Sequence, residues 1–225
     1  MDKYIQALLT SIGIFLSGYI LSYIYVSLSG VNPLTIIRTI IESPPAQATL
    51  MRVETASSTV ETLAETLTGR PLHLLSTDFK IVSVGLGILF TNSVTALGSA
   101  LTPLIPLIWF RNVTPRFMKL LRKDWSRELA WGNYYRYAVP LAPVSVLAFS
   151  GFMLNLVVNL VGGFIDFMAP EMAGIISLSA VGVKASLNSK TPEELEESYN
   201  GFWRVAFYSI LFLIIGAFME ARLIV

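Results

Sequence analysis

Residues 4–29 read YIQALLTSIGIFLSGYILSYIYVSLS, twenty-six positions without a charged side chain. A hydrocarbon core about 30 Å thick needs roughly 20 helical residues to cross it. This stretch is long enough to span, and it sets the class of the whole chain. Its closing SLSG (27–30) offers the small side chains of a cleavage site. The apolar core is nevertheless too long for a signal peptide, and Lys3 is the only basic residue ahead of it, so the stretch reads as a retained membrane helix.

The composition agrees. Of 225 residues, 54% are hydrophobic and 14% charged, and the mean hydropathy is +0.64. Those values fit a polytopic membrane protein better than a soluble domain. A net charge of +1 gives no basis for a nucleic-acid partner. The absence of cysteine excludes disulfides, thiolate nucleophiles and Cys-based zinc sites. One histidine, His73, falls in a loop and leaves little material for metal or acid–base constellations.

Between 31 and 78 the chain turns polar. In NPLTIIRTIIES (32–43), Asn32 is placed to cap a helix that begins with Pro33, and Ile36, Ile37, Ile40 and Ile41 share one side. Pro44–Pro45 stops it. Leu50, Val53, Val60, Leu63 and Leu67 then form a second helical stripe, ended by Gly69 and Pro71. The segment reads as an amphipathic helical excursion outside the bilayer. A second span, 79–110, is rich in small residues that let backbones approach closely, and Pro103 and Pro106 bend or break its end. A third runs over 137–161, a fourth to about Leu187 and a fifth from Phe202 onward. In the loop between the last two, Thr191 caps a short acidic helix that starts at Pro192.

The segment 111–136 carries seven Lys/Arg against two acids, with Trp and Tyr interleaved. In such a chain this pattern marks a cytoplasmic loop with interfacial anchors. The N-terminus is then inside, the 31–78 excursion and the 162–170 hairpin outside, and the C-terminus outside. The expected fold is an all-α polytopic bundle: a first transmembrane helix in 1–30, the extracytoplasmic amphipathic helices of 31–78, and a four-helix bundle in 79–225.

Two carboxylates break the apolar pattern. Glu171 opens the fourth span and Lys184 lies near its end, placements that suit the helix dipole and read as interfacial anchors. Glu220 sits near the C-terminal end of the last span, where the dipole disfavours an anion and Arg222 faces elsewhere. It needs a partner on another helix. Asn155 and Asn159, one turn apart, point into the same outer half, Asn92 lies deeper, and Asp166 is in the outer hairpin. The expected intramembrane cluster is Glu171, Glu220, Asn155, Asn159 and Asn92. Such a set of oxygens suits a proton or a hard cation, not zinc, and interhelical hydrogen bonding alone is the competing explanation.

FTNSVTA (90–96), SGFMLN (150–155), PEMAGIISLSAVGVK (170–184) and GAFMEARL (216–223) together resemble the stage II sporulation protein M family, which has many archaeal relatives. Asn92, Gly151, Glu171, Gly182 and Glu220–Ala221 fall on the family's motif positions, and Lys184 stands for its Arg. Ser150 replaces the Asn of an Asn-Gly pair, and DFM (166–168) replaces Pro-His-Gly, so the family's histidine is missing. The resemblance implies a five-span protein that works beside cell-wall hydrolases in spore-formers. It gives no established role in archaea.

With no Ser–His pair, His-Glu-x-x-His or membrane aspartate pair, an enzyme is not expected. The expectation is a multi-pass cell-membrane component that recruits protein partners through 31–78, with no cofactor or metal and with homo-oligomerisation left open. The alternative is a small ion- or proton-coupled transporter or channel using the outer cluster.

Overall fold

The computed structural model describes residues 2–43, 47, 51, 54–55, 58–62, 65–66, 77–120, 131–132, 134–161 and 168–225. Regular structure among them is helical: α1 Lys3–Ser29, α2 Pro33–Ile41, α3 Thr77–Leu101, α4 Leu104–Asn112, α5 Thr114–Leu120, a π-helical turn Tyr134–Ala138, α6 Leu141–Val161, α7 Met168–Asn188, α8 Pro192–Ser198 and α9 Phe202–Ile224. The proline stops at 44–45 and 71, the Gly69 stop, His73 and Asp166 lie outside the described residues. So do Leu50, Val53, Leu63 and Leu67 of the excursion's stripe and positions 121–130 of the basic loop.

Local chemistry sets the helix ends. Asp2 caps α1 by accepting from the Tyr4 amide at 2.8 Å, and Gly30 closes it with φ 62°, a left-handed conformation that glycine adopts without penalty. Asn32 caps α2 ahead of Pro33 as its spacing predicts. Pro103 has no N–H to donate, so α3 ends at Leu101 and α4 restarts at Leu104. Thr191 and Glu194 form a reciprocal capping box on α8, with Pro192 in the first turn.

Among the described residues, four helical stretches are long and apolar enough to cross a membrane: Lys3–Ser29, Phe79–Leu101, Tyr135–Asn159 and Phe202–Leu223. By sequence α7 counts as a fifth span. It has the length, but Glu171, Lys184 and its many small residues leave it short of that apolarity. The reason is its place. α7 packs against α1, α3, α6, α8 and α9, and Glu171, Gly174, Ile175, Leu178, Ser179, Val181, Gly182, Val183 and Ala185 are buried around its circumference. A helix enclosed by other helices does not need an apolar coat against lipid; the four around it expose theirs.

The register follows from three contacts. Asn92 meets Glu171 and Ser99 Oγ donates to Ser179 Oγ at 2.9 Å, at sequence separations of 79 and 80, so α3 and α7 run parallel. Gly174 abuts the Ser209 carbonyl, and Glu171 meets Glu220 farther along α9, so α9 runs antiparallel to α7. Long helices that alternate in direction along the chain give this pattern. The tightest crossing joins α1 to α6: a methyl group on Gly151 would lie 1.9 Å from the Phe15 carbonyl oxygen, and one on Gly18 2.0 Å from that of Ala148. Close backbone approach of this kind is how membrane helices associate without a hydrophobic drive.

Candidate functional site

Asn92 comes from the middle of α3, 15 residues past Thr77 and 9 short of Leu101, or about 22 Å and about 14 Å of helical rise. Its Nδ2 donates to Glu171 Oε1. Glu171 is only three residues into α7, so α7 begins level with the middle of α3. This corrects the expectation that Glu171 lies at interface depth with Asn92 below it. The two are level, and Glu171 is 7% exposed. The Glu171 carboxyl in turn lies against that of Glu220, which α9 brings in half-buried.

An ionised carboxylate only accepts hydrogen bonds, so these two carboxyls can bond to one another only when they share a proton. The Asn92 amide supplies a donor to the first of them. The neighbouring walls are apolar, with Ile88 of α3 packed on Ala217 and Ala221 of α9. Among the described residues the ion pairs are Arg38 with Glu42 and Arg111 with Glu193 and Glu196. No Lys or Arg side chain among them therefore neutralises either carboxyl. Arg222, two residues beyond Glu220, is exposed beside Ile81, Val82, Phe218 and Met219. Two carboxyls and an amide from three helices can hold a proton, or coordinate a hard cation once deprotonated.

Asn155 and Asn159 share a face of α6, as expected, but bond to each other. Asn159 Nδ2 donates to Asn155 Oδ1 at 3.1 Å and to the Asn155 carbonyl at 2.8 Å. Residues one turn apart are permanent neighbours, and Asn155 takes the Asn159 amide that the spacing assigns to the carboxyl cluster. Lys184 Nζ donates 2.8 Å to the Ser198 carbonyl at the C-terminus of α8. The excursion is likewise not separate from the bundle. Ser83 of α3 donates 3.1 Å to Glu61, and Met51, Thr55, Thr59 and Val60 face Leu86, Leu89, Phe90 and Ser93 across a cavity of about 770 Å³.

Three interhelical bonds escaped the sequence. Ser99 pairs with Ser179, Tyr4 Oη donates 3.0 Å to the Ser177 carbonyl, and Tyr199 Oη donates 2.6 Å to that of Ala100 beside the Pro103 break. A tyrosine near a membrane end reads as an interfacial anchor, and nothing in the spacing marks these as internal donors. Burial pushes the Tyr199 phenol well above its ordinary value, which keeps it a neutral donor.

No family model, curated protein or solved structure matches this chain. Function has to be argued from the site.

Proposed function

We propose that this chain is a non-enzymatic multi-pass membrane protein that handles a proton, or a hard cation in its place, at the Glu171–Glu220–Asn92 contact, as a small ion-coupled transporter or channel. One observation carries the reading. Two carboxyls from different helices converge, without a cationic partner among the described residues, level with the middle of α3. Ionisable groups at such depth are expensive, and they mark ion or proton pathways in helix bundles. Glu171 is sealed and Glu220 half-buried, so Glu220 is the member through which exchange with the medium proceeds. Sequence alone ranks transport second, and the convergence of the two carboxyls moves it ahead.

The second reading is an assembly component of the cell envelope, related to the stage II sporulation protein M family and of archaeal type, that recruits partners through 31–78. The sealing of Glu171 favours it, since a buried clamp across three helices also serves purely to rigidify a scaffold. In both readings the chain lies in the cell membrane with its N-terminus and 111–136 cytoplasmic, supported by the seven-to-two charge bias of that loop. Purified protein in liposomes with a trapped pH or cation indicator tests the choice. Transport requires flux that Glu220→Gln abolishes. Flux absent from both proteins, with partner proteins retained on mild purification, would establish the scaffold instead.

A further inference from the structure

We propose that the cavity between the excursion and α3 holds the acyl chain of a membrane lipid. It is about 770 Å³ and is walled by one stripe from each side: Met51, Thr55, Thr59 and Val60 at successive turns of the excursion, and Leu86, Leu89, Phe90 and Ser93 on α3. Among the described residues no charged side chain lines it, and Glu61 is held at its outer end by Ser83. The threonines on its wall are already engaged. Thr55 Oγ1 donates to the Met51 carbonyl at 2.6 Å and Thr59 Oγ1 to that of Thr55 at 2.7 Å, the usual way hydroxyls are silenced in apolar helices. Those hydroxyl protons are spent, which leaves a polar ligand little beyond the Ser93 hydroxyl to replace its hydration.

Position selects the apolar occupant. Leu86–Ser93 lie within the candidate span Phe79–Leu101, and the cavity is continuous with the lipid-facing side of α3, where Phe90 is 52% exposed and Val94, one turn on, 39%. On the opposite wall Met51 is 64% exposed. A linear hydrocarbon chain enters from that surface without leaving hydrocarbon, its head group remaining at the outer end near Glu61.

A photoreactive benzophenone side chain in place of Thr59, in full-length protein reconstituted with dioleoyl phosphatidylglycerol, identifies the occupant by mass. The expected product is a phospholipid adduct. Filling the cavity with Leu89→Trp, or with Met51→Trp where the first variant fails to retain its helix content, should lower that adduct at least five-fold. Tryptophan at Ser58, off the cavity, should leave it unchanged. Crosslinking to α3 itself, to a second copy or to another protein overturns the proposal, as does lipid capture that the filling variants do not reduce.

Discussion

Replacing Gly151 with alanine should break the α1–α6 crossing. The added methyl would stand 1.9 Å from the Phe15 carbonyl oxygen and 3.1 Å from the Tyr19 nitrogen, against the 3.4 Å at which ordinary contact begins. Both neighbours are backbone, so no rotamer change relieves the overlap, and the helices must part by about 1.5 Å. A radial gap of 0.5–1 Å already forfeits a quarter to a half of the dispersion well for each atom pair along the seam. We therefore expect the upper end of the overpacking range, about 3 kcal/mol. Gly18→Ala, 2.0 Å from the Ala148 carbonyl, should behave alike. The double variant should lose less than the sum, because one separation relieves both clashes. Gly13 is the control, with nothing within 4 Å of an added methyl, so Gly13→Ala should be neutral or gain about 0.4–1 kcal/mol. Reversible unfolding in mixed micelles, followed by circular dichroism, reads all four proteins. A Gly151→Ala variant as stable as Gly13→Ala would refute the backbone-to-backbone crossing.

Two further outcomes follow from the polar contacts. In a double-mutant cycle of Asn92→Ala and Glu171→Gln, the coupling should be about 0.6–2 kcal/mol, the range for interhelical hydrogen bonds; strict additivity would mean the two side chains do not meet. The raised Tyr199 phenol binds its proton more tightly folded than unfolded, so its contribution is intact below the ordinary value of 10.0 and declines as pH rises above it. Absorbance titration of native protein should contain a high-pH component from the Tyr199 phenol that Tyr199→Phe removes; a titration curve unchanged by the substitution would contradict the burial.

Much of this fold is written in short-range features. The uncharged run of residues 4–29, the missing N–H of Pro103, and the Thr191–Pro192–Glu194 pattern each fix an element through interactions within a few residues. The site is legible only in part. Glu220 betrays itself because an anion at the C-terminal end of an apolar helix needs help from elsewhere. The vertical offset that sets α7 level with the middle of α3 is a property of packing, set by Gly182 against the Ser99 carbonyl and by the Ser99–Ser179 bond, and no periodicity encodes it. For the same reason Asn155 and Asn159 mislead. Their spacing correctly puts them on one face, but it cannot rank a distant carboxyl against a neighbour one turn away.

The enclosed position of α7 also bears on how the chain enters its membrane. On insertion scales a charged residue at a helix centre costs about 2.5–3.5 kcal/mol, and less toward the ends. α7 carries two such residues on the least apolar of the five long helices, so as an isolated segment it partitions poorly. Chain order offsets this. Tyr4, Asn92 and Ser99 precede α7, so these partners of its polar groups are in place when it leaves the ribosome, whereas the Ser198 carbonyl that receives Lys184 follows directly and Glu220 some fifty residues after Glu171. The bundle is thus assembled around its least soluble member in lipid, with α9 arriving last to close the carboxyl contact.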